Sequence, residues 1–233
     1  MNKTTRITKQ GIRYVLREII YSTINLILLL IASGYLFWSN AWILFFIYIS
    51  YQVLTFFILF KYNPNLLNAR GKALHENTLS TDKILMILYN FCAFSAPIIA
   101  GFDVIRFKWS YMPFWTTFLG IGILIFSFII ATWAMTVNPF FEPSIRIQHD
   151  RNQKVISSGP YKLIRHPGYL AAIIGAPSYT LILGSWWAFV PIIFDIIIFI
   201  IRTSLEDRLL MTELPGYKEY AKKVKFRLIP YIW

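Results

Sequence analysis

The sequence is poor in the residues that form disulfides and metal sites. Its 233 residues include one cysteine, Cys92, and three histidines. A single cysteine excludes an internal disulfide. Because Cys92 lies inside an apolar run, we expect it to behave as a small buried side chain. The histidines are widely scattered and give no metal-ligand spacing, so we expect no metal.

Acidic residues are also scarce. There are 11 aspartates and glutamates against 23 lysines and arginines, which gives a net charge of +12. In a soluble protein this excess would suggest nucleic acid as a partner. Here 57% of the residues are hydrophobic, which is too apolar for a soluble domain of this length. The basic residues are therefore expected to orient membrane spans and to contact membrane lipids, and no nucleic acid is expected.

Six apolar runs predict an all-α, polytopic membrane protein. The first four are close to the roughly 20 residues that cross a bilayer. The last two are shorter, and the Gly184-Ser185 pair between them predicts a tight helical hairpin. The runs cover residues 19–37, 41–60, 84–105, 112–135, 168–184 and 186–203.

The remaining segments complete the predicted architecture. Residues 61–83 are expected to be a linker, and residues 204–225 an amphipathic helix at the membrane surface. The whole chain, 1–233, is expected to be one membrane domain. In this domain 1–135 would hold four spans and 136–233 the cofactor-binding, catalytic part.

The positions of the basic residues predict the orientation. Six spans place both termini on one side, and 21 of the 23 lysines and arginines then lie on that side. Only Arg106 and Lys108 lie on the other. By the positive-inside rule, both termini and the polar stretch 157–169 are expected to be cytoplasmic. Five spans would put that stretch and the basic C-terminus on opposite faces, so we reject that arrangement.

The polar stretch 157–169 lies between apolar runs, yet it holds two cations, a histidine and two tyrosines. A membrane chain rarely places such groups beside its spans without a use or a partner. Pro167 disfavours the α-helical region for His166 and suits the first position of a helix, so a helix is predicted to begin there. His166 would then lie at the positive end of that helix, where free N–H groups bind anions, with Arg165 beside it.

Five separated sequence elements carry a family resemblance. In order they are Gly159-Pro160-Tyr161-x-x-x-Arg165-His166-Pro167-x-Tyr169, a short apolar hairpin, Arg202-x-x-x-Glu206-Asp207, Pro215-Gly216-Tyr217-x-x-Tyr220 and Arg227-Leu228-Ile229-Pro230. This order resembles the isoprenylcysteine carboxyl methyltransferase family, with its bacterial relatives and the related phospholipid N-methyltransferases. The resemblance covers roughly the last hundred residues. The first 135 residues match only as hydrophobic helices.

The resemblance implies a methyltransferase with S-adenosylmethionine as cofactor. Family contacts to this donor carry over to Val155, Ile156, Tyr161, His166 with Pro167, Tyr169 and Glu206. The residue types suit the donor independently of the family. A helix start beside Arg165 suits the carboxylate of the donor, and Glu206 suits its ammonium or its ribose hydroxyls. The faces of Tyr161 and Tyr169 suit its adenine and its sulfonium. Two departures are Gln153, where the family often has histidine, and a shorter acidic run after Arg202.

The resemblance also implies a lipophilic acceptor that enters from the lipid. Arg202 carries over as the residue that binds the acceptor. Arg202 and His166 are the candidate catalytic residues. A prenylcysteine-type carboxylate, a phospholipid amine and a small thiol all remain open as acceptors. For a carboxylate acceptor, Arg202 would supply a bidentate pair.

Other functions and roles remain open at this point. A sterol-reductase-like enzyme that uses NADPH shares features of the C-terminal part, and a non-enzymatic membrane scaffold would need neither cofactor. Arg202 and Glu206 are one helical turn apart, so a salt bridge alone would explain them. His166 would also serve as a helix cap, and Tyr161 and Tyr169 as aromatics of the membrane interface.

Asp195 is the one acid near the centre of an apolar run. A charge there costs about 2.5–3.5 kcal/mol on insertion scales. The family pattern does not account for it. We expect it to pair with a polar group such as Asn25 or Asn90; protonation and a place in an acceptor tunnel are the alternatives.

Overall fold

The computed structural model describes residues 7–72, 75 and 77–233, and all regular structure in them is helical. This confirms the predicted all-α class. Two of the basic residues counted as cytoplasmic, Lys3 and Arg6, lie outside the described residues. The helices are α1 (Lys9–Ser33), α2 (Ser39–Tyr62), α3 (Pro64–Ala69), α4 (Ser80–Ala100), α5 (Trp115–Val137), α6 (Pro167–Leu183), α7 (Phe189–Glu213) and α8 (Tyr217–Lys223).

Four helices are long and apolar enough to cross a membrane: α1, α2, α5, and α4 with the π-helical segment Gly101–Arg106 that continues it. The shorter α6, with 17 residues, is also apolar. In α7 only the first half is apolar, and charged residues from Arg202 onward occupy the second half. Six spans therefore remain a prediction for α6 and α7.

The packing of α5 along α6 depends on small residues. A side chain at Gly175 would lie 2.5 Å from Ser127 Oγ, and one at Gly120 would lie 2.9 Å from the side chain of Ile182. Neither distance is possible for a real Cβ atom, so glycine permits this close approach. On the other side of the bundle, α4 packs against both α1 and α7.

Residues 184–188 connect α6 to α7 at one end of the bundle. Gly184 has φ of +80°, a conformation that favours glycine, and its N–H donates to Thr180 O. Asp103 Oδ2 accepts hydrogen bonds of 2.6 Å from the hydroxyls of Ser110 and Ser185. These bonds attach the connection to the end of the π-helical segment.

The C-terminal part differs from the predicted amphipathic helix over 204–225. Between Ile192 and Leu214 the sequence contains neither glycine nor proline, so α7 continues unbroken to Glu213. The chain turns at Pro215-Gly216, and α8 is only seven residues long. Tyr217 and Tyr220 are buried in α8, which packs them on the last turns of α7.

Candidate active site

One cavity of about 690 Å³ brings together most of the residues that the sequence singled out. Pro167 is the exception. It stands at the start of α6, as predicted, and is buried, but it does not line the cavity; its neighbour Gly168 does. The other eight predicted residues line it: Val155, Ile156, Tyr161, Arg165, His166, Tyr169, Arg202 and Glu206. They come from the loop before α6, from α6 itself and from α7.

Asp207 is the centre of a buried polar network at one end of the cavity. Its carboxylate is 1% exposed and accepts hydrogen bonds from Arg165 Nε (2.8 Å), Arg165 Nη2 (2.9 Å), Arg227 Nε (2.8 Å) and Tyr217 Oη (2.9 Å). His166 Nε2 lies 3.0 Å from Oδ1. Burial alone would raise the pKa of Asp207, but the hydrogen bonds and charges of His166 and Arg165 hold that pKa well below its usual range.

This network changes what Arg165 can do. Its Nη1 donates to the carbonyl oxygens of Val224 (2.9 Å) and Lys225 (2.8 Å), while its other donors hold Asp207. The guanidinium is thus directed at the C-terminal segment, and its charge is compensated inside the protein. A contact between Arg165 and the carboxylate of a donor remains a prediction.

His166 precedes α6 but does not cap it. Its side chain makes no capping hydrogen bond and turns to Asp207, while Tyr217 Oη lies 3.3 Å from Nε2. The backbone N–H groups of Arg165 and His166 donate to the carbonyl oxygens of Phe226 and Arg227, both at 3.0 Å. The C-terminal residues therefore fix the conformation of the chain where it enters α6.

Arg202 pairs with Asp82, not with Glu206. Its Nε donates to Asp82 Oδ1 at 2.8 Å, and its Nη2 donates to Oδ2 at 3.4 Å and to Pro143 O. Asp82 is fully buried and Arg202 is 6% exposed. The guanidinium also lies over the ring of Tyr169, 5.6 Å from the centroid. The salt bridge to Glu206 that the sequence left open is therefore wrong.

Sequence reasoning missed Asp82 because it lies 120 positions from Arg202 and was assigned to the linker 61–83. The structure places it in the first turn of α4, after Ser80-Thr81. An acid in the first turn of a helix is a common signal. That signal predicts a helix start and gives no information about a partner so far along the chain.

Glu206 lines the cavity and is partly exposed. Among the ion pairs of the described residues, none involves Glu206. Glu206 differs in this respect from Asp82 and Asp207, whose charges are neutralised by arginines. Glu206 thus presents a carboxylate to the cavity without an arginine or lysine held against it.

Aromatic residues near Glu206 are held by hydrogen bonds. Asn138 Nδ2 donates to Tyr161 Oη at 2.8 Å, and Tyr220 Oη donates to the carbonyl oxygen of Tyr161 at 2.7 Å. Burial raises the pKa of Tyr161 and of Tyr220, so both phenols stay neutral. Asn138 and Tyr220 were not predicted as site residues, although Tyr220 belongs to a motif that the sequence displayed.

The loop before Gly159 offers backbone groups to the cavity. No backbone hydrogen bond of the described residues involves residues 154–157. The N–H and C=O groups of Val155 and Ile156 are therefore free at the cavity wall. Gln153 supports this loop, because its Oε1 accepts the backbone N–H of Gln148 at 2.8 Å. At this position, where the family often has histidine, the side chain acts within the loop.

Asp195 does not have the predicted partner. The amide groups of Asn25 and Asn90 each donate to a carbonyl of their own helix, Tyr21 O at 2.9 Å and Met86 O at 2.6 Å. Asp195 is 4% exposed, its Oδ1 receives no hydrogen bond from a described residue, and it lines the cavity. The prediction that it pairs with either asparagine is therefore wrong.

Part of the chain matches a known protein family, and its fold matches a solved structure. Residues 115–214 match the sequence model of the phospholipid methyltransferase family. No curated protein matches the chain. The fold is similar to the solved structure of the eukaryotic intramembrane Ras methyltransferase ICMT (isoprenylcysteine carboxyl methyltransferase). That alignment has a TM-score of 0.61 and 15% identity, and it covers 91% of this chain and 74% of the other.

The two comparisons cover different features of the chain. The family match contains the start of α6 and the acidic pair of α7, and the structural match extends over the N-terminal helices that the sequence motifs do not reach. At 15% identity the structural match shows a shared fold. Taken together, the family match over residues 115–214 and the shared fold support the resemblance to an isoprenylcysteine carboxyl methyltransferase-like family that the sequence motifs indicated.

Proposed function

We propose that the chain uses S-adenosylmethionine to methylate a lipophilic acceptor that enters the cavity from the membrane. The observation that supports this most strongly is the convergence of eight predicted residues on one cavity. These residues come from sequence segments far apart, and a shared cavity is what a binding site requires.

The cavity residues fit the chemical groups of the donor. The free N–H and C=O groups at Val155 and Ile156 match the hydrogen-bonding edge of an adenine. Glu206, which forms no ion pair with a described residue, suits an ammonium or ribose hydroxyls, and the faces of Tyr161 and Tyr169 suit a ring or a sulfonium. When bound, the donor supplies an electrophilic methyl carbon. The residues around it align the reactants and exclude water.

The surroundings of Arg202 favour an acceptor without a negative charge. Asp82 already holds the Nε and Nη2 edge of the guanidinium and balances its charge. A bidentate clamp on an acceptor carboxylate needs such an edge free. Nη1 alone makes no hydrogen bond to a described residue. We propose that Arg202 orients the acceptor through Nη1 and that neutral thiols and amines, which release their proton to solvent on methyl transfer, are preferred to carboxylates.

Two measurements test this function. The first is calorimetric titration of the purified protein in nanodiscs with S-adenosylmethionine and, separately, with NADPH. We expect binding of the methyl donor only, and weaker binding in Glu206→Gln. Binding of NADPH would favour the reductase, and binding of neither would favour the scaffold.

The second measurement identifies the acceptor class. Donor-dependent methyl labelling would be applied to a membrane lipid extract, to candidate lipophilic thiols and to a prenylcysteine, with product identification by mass spectrometry. We expect label in a thiol or an amine. Exclusive labelling of a carboxylate would contradict the role given to the Asp82–Arg202 pair.

A further inference from the structure

Asp195 has the burial of a core residue and the surroundings of a binding group. It is 4% exposed, and its Oδ1 receives no hydrogen bond from the described part of the chain. It lines the same cavity as Glu206 and Arg202. Buried carboxylate oxygens are normally hydrogen-bonded, because an unpaired one loses its interaction with water without replacement. A ligand group in the cavity would supply the missing bond.

The polar side chains that α1 and α4 contribute to the cavity wall do not supply that bond. Tyr21 and Tyr89 lie within its electrostatic reach, but neither donates a hydrogen bond to it. The amides of Asn25 and Asn90 are directed at carbonyls of their own helices. All four side chains line the cavity, so α1 and α4 contribute polar groups to its wall although both helices are apolar.

The position of Asp195 relative to the proposed reaction site is set by α7. Asp195, Phe199, Arg202 and Glu206 recur at helical spacing and all line the cavity, so they share one face of the helix. Arg202 is seven positions after Asp195, which is a rise of about 10 Å along the helix at 1.5 Å per residue. The cavity extends along this whole distance.

We propose that Asp195 forms a second polar subsite, which binds an O–H or N–H donor on the apolar part of the ligand about 10 Å from the atom held at Arg202. The ligand class is an amphiphile with a reactive head group and a hydroxyl or amino group farther along its hydrocarbon portion. That this amphiphile is the methyl acceptor rests on the proposed function. The subsite itself does not.

The test measures binding without methyl transfer. The full chain in nanodiscs would be titrated with tritiated 9-mercaptononan-1-ol, 9-aminononane-1-thiol and nonane-1-thiol, with empty nanodiscs subtracted. Hydrogen bonds to a carboxylate are among the stronger ones, so we expect the hydroxyl and amine probes to bind about tenfold more tightly than the plain thiol.

A shorter probe and two variants check the assignment to Asp195. The hydroxyl of 5-mercaptopentan-1-ol does not reach Asp195 when its thiol lies at Arg202, so it should show no advantage. Asp195→Leu should abolish the preference for the polar probes and leave nonane-1-thiol unchanged. Asp195→Asn keeps the shape of the side chain and should lose most of the preference for the amine. Phe194→Leu, on the exposed face of α7, is the matched control and should change nothing.

The outcomes separate this subsite from the proposed function. Equal binding of the three nine-carbon probes to the unmodified protein would overturn the subsite, and so would a preference that survives in Asp195→Leu. A preference that depends on Asp195 in a protein that transfers no methyl group would keep the subsite and overturn the methyltransferase proposal. Methyl transfer without such a preference would keep the methyltransferase proposal and overturn the subsite.

Discussion

Two adjacent acids on α7, Glu206 and Asp207, have opposite surroundings. Successive residues of an α-helix point about 100° apart, so neighbours in sequence face different parts of the molecule. Asp207 faces the C-terminal segment and is held by Arg165 and Arg227. Glu206 faces the cavity and is partly exposed. The pair thus combines one acid that stabilises the fold with one available to a ligand.

The first prediction concerns Glu206. Glu206→Gln should raise the dissociation constant of the methyl donor by about tenfold or more, because a charged hydrogen bond becomes a neutral one. The unfolding temperature should hardly change, since no ion pair is lost. Calorimetric titration and thermal unfolding measure the two quantities. Glu213→Gln, an exposed acid on the same helix, is the control. Unchanged donor affinity in Glu206→Gln would remove this residue from the site.

The second prediction concerns the buried pair of Asp82 and Arg202. Arg202→Ala should destabilise the protein by about 3–5 kcal/mol, because it leaves the Asp82 carboxylate buried without a compensating charge, held only by the backbone N–H of Ile145. Combining Asp82→Asn with Arg202→Met removes both charges and should restore most of that loss. Denaturant unfolding in detergent measures each variant. If the double variant were as unstable as Arg202→Ala, the pair would not account for the effect.

The double variant then isolates the role of Arg202 in transfer. With folding restored, we expect donor affinity close to that of the unmodified protein and a lower kcat or a higher acceptor KM, because a residue that orients the acceptor acts on alignment. A large loss of donor affinity would place Arg202 in the donor site instead.

At the scale of elements, the C-terminal segment after α8 (residues 224–233) fixes the conformation of the chain at the start of α6. Asp207 on α7 binds Arg165 before α6 and Arg227 after α8, while Phe226 and Arg227 accept backbone hydrogen bonds from the chain before Pro167. The elements on both sides of the cavity therefore depend on one carboxylate.

The third prediction tests this dependence. Asp207→Asn should loosen the last segment, so limited trypsin digestion at the exposed residues Lys222, Lys223 and Lys225 should become faster. Donor affinity should fall as well, because His166 and Tyr161 lose their support. Digestion followed by mass spectrometry, with Glu213→Gln as control, measures the change. Unaltered cleavage rates would mean that other contacts hold this segment.

The fourth prediction is a pH dependence. Because the pKa of Asp207 is lower in the folded protein than in the unfolded chain, its contribution to stability is present above the ordinary aspartate pKa, about 4. It is lost as the pH falls below that value toward the folded-state pKa. The unfolding temperature of the unmodified protein should thus fall more steeply between pH 5 and pH 3 than that of Asp207→Asn, roughly a window around that pKa. Parallel profiles would exclude Asp207 as the cause.

At the scale of the whole molecule, the cavity joins a polar end at Glu206 to a membrane-spanning interior. Its lining runs from the loop before Gly159 to residues of α1, α2 and α4, three of the helices long and apolar enough to cross a membrane. The proposed amphiphile would keep its apolar part among these helices while its head group lies at Arg202.

The fifth prediction fixes the orientation of this arrangement. Reporters fused to the N-terminus or to the C-terminus should be cytoplasmic, and a reporter inserted near Trp109 should lie on the opposite side. The reason is the distribution of basic residues, of which only Arg106 and Lys108 would be on that side. Cysteine-labelling at the same three positions is an independent measurement. Termini on opposite sides would overturn the six-span arrangement.

Local and compositional signals in the sequence were enough to predict the membrane class, the helical fold and several residues that line one cavity. Apolar runs near 20 residues require helices in a bilayer, because every backbone polar group must be satisfied within the segment. Pro167 determined where α6 begins, through its own fixed backbone angle and its effect on His166. The ordered motifs contain six of the eight predicted residues of the cavity wall, and the family resemblance added Val155 and Ile156.

Only the tertiary structure decided which of these residues are free to bind a ligand. Asp82 lies 120 positions from its partner Arg202. Asp207 pairs with Arg165, which precedes α7 in the sequence, and with Arg227, which follows it. Pairings at such separations leave no periodic signal, because they arise from the packing of helices and not from local conformation. Within the described part of the chain, the same packing leaves Asp195 Oδ1 without a hydrogen bond beside a cavity and leaves Glu206 facing that cavity without an ion pair. Residue types and spacing determine which chemistry is present, and the three-dimensional arrangement of charges determines where it can act.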